Sequence, residues 1–153
     1  MGNAKRRRGF TLLEVLIVLM LVATIVSLSL FFTLGEYRRA ALRAETDTLV
    51  TLLQSARTAA MNNVGGSVPQ GLAFFPVGYA GYVLFRGATF TASDPATREF
   101  TPLSYPVTFE VGSPAEVVFA PLAGTTTAAT IVLIDPETAG SSSIAINYEG
   151  LIQ

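Results

Sequence analysis

KRRRGFTLLEVLIVLMLVATIVSLSLFFTLG, residues 5–35, is the stretch on which the architecture turns. Four basic residues, Lys5 to Arg8, precede Gly9, and then the character changes within one peptide bond. From Phe10 to Leu34 the only charge is Glu14, and from Val15 to Leu34 there is none. These 25 residues, wound as a helix rising about 1.5 Å per residue, reach about 37 Å, enough for a hydrocarbon layer of about 30 Å. The segment is expected to span a membrane. A cleaved secretory signal peptide also starts basic and turns apolar, but its core runs to about 7–15 residues and ends in a small-residue cleavage site. This run is longer and leads into a further helical pattern.

Orientation follows from the leader, because basic residues favour the cytoplasmic side. Arg38, Arg39 and Arg43 near the other end reduce that asymmetry. The expectation is a single pass in the inner (cytoplasmic) membrane, with the N-terminus in the cytoplasm and the C-terminal domain outside.

Beyond Gly35, residues 36–63 contain neither Gly nor Pro and keep a helical period. Leu42, Leu49, Leu52, Leu53, Ala56 and Ala60 recur at three- and four-residue steps and form an apolar stripe. Arg39, Arg43, Asp47, Gln54 and Arg57 fall to a polar side, with Arg43 and Asp47 spaced for an i,i+4 pair. Asn62, Asn63, Gly65 and Gly66 then supply residues that tolerate the left-handed conformation ending a helix. A helix from Phe10 to Asn63, with a possible bend at Gly35, would extend about 80 Å.

All eight prolines and ten of the thirteen glycines lie past residue 63, between short β-branched and aromatic runs. Expected strands are Leu72–Phe75, Tyr82–Phe85, Val107–Val111, Glu116–Phe119, Thr130–Ile134 and Ser143–Asn147. In the third, Val107, Phe109 and Val111 would face inward while Thr108 and Glu110 meet water; Ile144 and Ile146 alternate likewise. The fold class is therefore α+β: a long N-terminal helix, its apolar half membrane-spanning, packed on a C-terminal antiparallel sheet. The divisions are leader 1–9, transmembrane and assembly half 10–34, amphipathic half 35–63, and β-rich domain 64–153. The sheet would bury one face against residues 36–63.

The string Lys5-Arg6-Arg7-Arg8-Gly9-Phe10-Thr11-Leu12-Leu13-Glu14 resembles the type III signal of type IV prepilins and type II secretion pseudopilins. It combines a short basic leader, Gly before the cut, Phe after it, an apolar run, and Glu as fifth residue of the mature chain. The resemblance implies cleavage between Gly9 and Phe10 by a membrane aspartic prepilin peptidase, N-methylation of Phe10, and assembly into a pilus or pseudopilus. It also implies other pilins or pseudopilins and an inner-membrane assembly platform as partners, with membrane lipid around the helix before assembly. The filament would be periplasmic or extracellular.

A physical reading of Glu14 stands beside this. An ionisable group in a membrane segment costs several kcal/mol and needs a partner or a polar cavity. The amine freed at Phe10 is a natural partner, whether of the same chain or of a neighbouring subunit. Alternatively Glu14 sits close enough to the interface to be hydrated.

Residues Leu52 to Asn63 resemble the end of the long helix in the GspH/FimT group of minor pilins and pseudopilins, and Ile144 to Ile152 resemble that group's closing strand and turn. Departures exist. Many type IV pilins have a proline in the apolar helix where Phe31 stands here, and the C-terminal disulfide of many major pilins is impossible without Cys. The Arg-rich C-terminal stretch of some DNA-uptake FimT-like proteins is replaced by Gly150-Leu151-Ile152-Gln153.

Composition narrows the remaining functions. Without residues 1–9 the chain has six Arg against eleven acids, a net −5, which argues against general nucleic-acid binding. It then has no His, Cys or Lys, which removes Ser-His-Asp, Cys-His and Schiff-base mechanisms and zinc sites built on His or Cys. No catalytic residue, cofactor or metal is expected, and the chain is read as structural rather than as a membrane-anchored enzyme or ligand-binding protein. Asp135-Pro136-Glu137 could offer oxygens to calcium, but two acids fall short of its 6–8 ligands, and Asp-Pro is turn chemistry. Asp94-Pro95 reads the same way. Ala23 and Ser27, four apart, either mark a helix contact or are ordinary lipid-facing composition. A minor subunit is the leading reading; a major pilin is the alternative.

Overall fold

The computed structural model describes residues 11–75 and 77–153, and for residues 29–34 the helical backbone alone. Helix α1 runs from Leu12 to Met61 as one element, continuous through Gly35. Thr11 begins it as a cap, its hydroxyl and its carbonyl both accepting from the Glu14 N–H. The chain divides into two compact units between Arg38 and Arg39.

In the second unit the helix ends as its sequence suggests. Asn63, Gly65 and Gly66 all have positive φ, at 55°, 87° and 82°. The Val64 N–H bonds back to the Ala59 carbonyl, and the Ala60 carbonyl accepts from both the Asn63 N–H at 3.2 Å and the Leu122 N–H at 2.9 Å.

Among the described residues seven strands follow: β1 Gln70–Phe74, β2 Gly81–Arg86, β3 Glu99–Pro102, β4 Thr108–Phe109, β5 Glu116–Phe119, β6 Ala129–Ile134 and β7 Ser141–Ile146. All pairings are antiparallel, but the strands form two sheets where one was expected: β3-β2-β1-β5 and β4-β6-β7. Both contribute to one core. Leu42, Leu49, Leu53, Ala56 and Ala60 of α1 are buried with Leu72, Phe74, Tyr82, Val117 and Phe119 of the first sheet and Ile131, Leu133, Ile144 and Ile146 of the second. The helical stripe is thus the element the two sheets share.

Strand β3 lies outside the expected strands. Its residues are mostly exposed and end in Pro102, so no buried alternation marks it; pairing with β2 makes it a strand. The third expected strand shrinks to Thr108–Phe109. Val107 is buried and Phe109 half-buried as expected, but Val111 is fully exposed. The reason is a turn, in which the Ser113 N–H bonds to the Glu110 carbonyl and Gly112 takes φ 106°. Ile144 and Ile146 do point inward.

Candidate functional site

The site singled out by the sequence is the N-terminal motif. Gly9 and Phe10 lie outside the described residues; Glu14 lies in the first turn of α1 with its side chain exposed. A carboxylate there meets the positive end of the helix dipole. Among the described residues no hydrogen bond or ion pair engages that carboxylate.

Around it the helix is apolar on every side. Leu12, Leu13, Val15, Leu16, Ile17, Val18, Leu19, Met20, Leu21, Val22, Ile25, Val26 and Leu28 are all exposed. The few hydroxyls among them are turned inward on the helix itself. Thr24 Oγ1 donates to the Met20 carbonyl at 2.6 Å, and Ser27 Oγ to the Ala23 carbonyl at 2.8 Å. From Leu12 to Leu28 the surface therefore shows apolar groups and one carboxylate. A helix apolar all round requires burial in lipid or among other helices. Among the described residues no helix is long and apolar enough to cross a membrane. The described side chains of the apolar half end at Leu28, after about 25 Å of helix, and Phe10 and Ser29–Leu34 of the expected span are not among them.

The second half of α1 carries a residue the stripe did not announce. Glu45 is 1% exposed, three positions after Leu42 and four before Leu49, on the buried face. Its Oε2 accepts from the Ser104 N–H at 3.2 Å, so it ties the helix to the segment after β3. Its Oε1 and the Tyr82 hydroxyl are buried without reaching hydrogen-bond geometry. They interact electrostatically all the same: burial first, and the Glu45 charge second, push the Tyr82 phenol well above its ordinary range and keep it protonated. Position alone could have signalled Glu45, because it occupies a stripe register.

Arg57, assigned by pattern to the polar side, is half-buried. Its guanidinium donates to the Glu149 carbonyl at 3.1 Å, and its Nε is enclosed without a partner. Gly124 and Gly150 make room for it; a Cβ on Gly150 would come within 2.1 Å of the Gly124 carbonyl oxygen and 3.0 Å of Arg57 Nε. The C-terminal residues close the second sheet beside it, where Ala145 and Gln153 exchange two backbone hydrogen bonds of 2.9 Å.

Asp135-Pro136-Glu137 forms the β6–β7 turn. Asp135 is buried, with Oδ1 accepting from the Glu137 N–H at 2.9 Å and Oδ2 from the Thr138 hydroxyl. These bonds, the hydroxyl's foremost, hold its carboxyl below the usual carboxylate range. Asp94 likewise accepts from the Ala96 N–H at 2.9 Å to start a short 3₁₀ turn. Among the described residues no three carboxylates gather into a possible metal site.

The second half of α1 packs on antiparallel sheets, and its first half is apolar. Residues 4–30 match the family described as the prokaryotic N-terminal methylation motif, so the motif includes Gly9, Phe10 and Glu14. The fold is similar to that of the type IV minor pilin FimU of Pseudomonas aeruginosa in two crystal forms. One superposes with a TM-score of 0.58 over 76% of this chain and 89% of that one, the other with 0.54 over 73% and 90%, each at 20% identity. Among curated proteins no sequence match was found.

Proposed function

We propose that the chain is a minor pilin or pseudopilin, a structural subunit carried in a type IV pilus or type II secretion pseudopilus. The observation that carries this is the first half of α1, apolar on every described side apart from Glu14. Lipid can cover such a surface before assembly and neighbouring helices can cover it afterwards. The methylation motif and the pilin fold support the same reading.

In this account prepilin peptidase cuts between Gly9 and Phe10, the new terminus at Phe10 is N-methylated, and the chain sits as a single pass with its β-rich domain outside. Before cleavage no charged amine exists at Phe10, so the Glu14 carboxylate has no such partner. Afterwards the amine pairs with Glu14 of the neighbouring subunit and sets the axial register of adjacent helices. Cleavage thus switches on an assembly contact. The mature chain has neither His, Cys nor Lys, which supports a structural role over the common Ser-His, Cys-His and Schiff-base enzymes.

Mass spectrometry of the purified protein tests the first step, with a chain beginning at N-methylated Phe10 as the expected result. An intact Met1–Gly9 leader in mature membranes would refute it. Sheared filaments test the second: a minor subunit is present there at low abundance, a major pilin dominates, and complete absence would refute both.

A further inference from the structure

The two sheets part along a groove of about 480 Å³, bounded by Gly112, Pro114 and β5 on one side and by Thr126–Thr130 on the other. Both walls end in strand edges. In the first sheet β5 pairs only with β1, and the Phe74 N–H bonds to the Ala115 carbonyl at 2.9 Å. The bonded positions of that ladder are therefore 115, 117 and 119, and the N–H and C=O of Glu116 and Val118 point away from β1, toward the groove. Thr126 Oγ1 occupies the Val118 carbonyl at 2.7 Å and closes one end. The Glu116 N–H and C=O and the Val118 N–H have no hydrogen bond among the described residues.

The opposite wall has the same chemistry. The Asp135 N–H bonds to the Gly140 carbonyl, so odd-numbered residues of β6 bond to β7 and even-numbered ones face the other way. On that other side Ile134 and Val132 are engaged by Thr108 and the Glu110 N–H, but Thr130 has no partner for its N–H and C=O among the described residues. Among the described residues Glu116 is the one charged residue lining the groove, and its Oε2 is occupied by the Phe90 N–H at 2.7 Å.

Two facing edges with free backbone donors and acceptors match one kind of guest. We infer that the groove takes an extended polypeptide segment of a neighbouring filament subunit, which adds as a short strand to β5 and contacts Thr130 across the gap. Main-chain hydrogen bonds supply the recognition, as in other cases of strand addition. Gly112, Ala128 and the threonines lining the slot leave space for small side chains. The source of the segment rests on the proposed filament role.

Amide hydrogen exchange on the full-length processed protein, compared in detergent and in sheared filaments, tests this. The Glu116, Val118 and Thr130 amides are expected to exchange freely in detergent and to slow by at least about tenfold in filaments. The Val117 amide, already bonded to β1, should be slow in both. A Val118→Pro variant removes one outward N–H without touching the β1 ladder. It should keep the wild-type unfolding midpoint yet lose most of the filament protection at Glu116 and Thr130. Equal exchange in the two states, or protection unchanged by Val118→Pro, overturns the inference; if the variant does not fold, the wild-type comparison decides alone. Absence of the chain from filaments overturns the inference together with the filament role, whereas presence with unprotected amides overturns the groove alone.

Discussion

The two halves of α1 are built from similar residues and put them to opposite uses. From Leu12 to Leu28 the large apolar side chains are all exposed. From Leu42 to Ala60 they are confined to a stripe that vanishes under two sheets, while Arg43, Asp47 and Gln54 stay in water. The difference is where the partner comes from. The second half finds its cover inside its own chain, so a one-sided pattern suffices; the first must be covered by something outside it, so it is apolar all round. Each half also holds one acid against that background. Glu45 is satisfied in part by Ser104 of its own domain, whereas the Glu14 carboxylate has no hydrogen bond or ion pair among the described residues.

Substitutions can break this contrast in order of size. Leu53→Ala removes a fully buried side chain from the core shared by α1 and the two sheets and should cost about 2–5 kcal/mol in denaturant unfolding of the detergent-solubilised chain. Leu19→Ala, in the exposed half, should leave that unfolding curve unmoved; equal losses at both positions would contradict the division. Glu45→Ala strips the Ser104 N–H of its acceptor and should cost about 1–3 kcal/mol in the same measurement. Glu14→Ala should show the reverse profile. Domain stability, membrane insertion and cleavage after Gly9 stay as in the wild type, while the filament-associated fraction of cleaved protein falls sharply. Normal incorporation of this variant would sink the Glu14 pairing.

The smallest effect lies in the β6–β7 turn. The Asp135 carboxyl is held below its unfolded value of about 3.9, so its contribution to stability is complete above that pH and is lost as pH falls through the lower folded value. Acid titration of unfolding midpoints should therefore show a decline below about pH 4 that is shallower in Asp135→Asn than in the wild type. Superimposable acid limbs would remove Asp135 from the account.

The contrast between the halves was largely readable before any coordinates. An uninterrupted apolar run, a three-four stripe and a Gly-rich end are local signals, and the helix follows them from Leu12 to Met61. What escaped depends on distant partners. The break into two sheets is set by which strands meet, which alternation along one strand does not encode. Strand β3 owes its form to β2, and the buried place of Glu45 was hidden because an apolar template skips acids even when they occupy its register. At the N-terminal site the motif was legible as a continuous stretch, since its basic leader and its apolar run are adjacent in the chain. The groove between β5 and Thr130 was not, because it is made of main-chain atoms that every sequence possesses.

The close fit of Arg57 against Gly124 and Gly150 bears on how this sequence can drift. A Cβ on Gly124 would meet the Met61 Cγ at 2.7 Å and Arg57 Cγ at 3.3 Å, both on flexible side chains, so a shorter residue at 61 arriving first would ease its way, although φ of 65° still disfavours it. A Cβ on Gly150 meets backbone instead, at a distance no side-chain truncation relieves. The two glycines therefore differ in historical freedom. Position 124 can change along a path in which the order of substitutions matters, and position 150 has no such path until the loop behind it has moved.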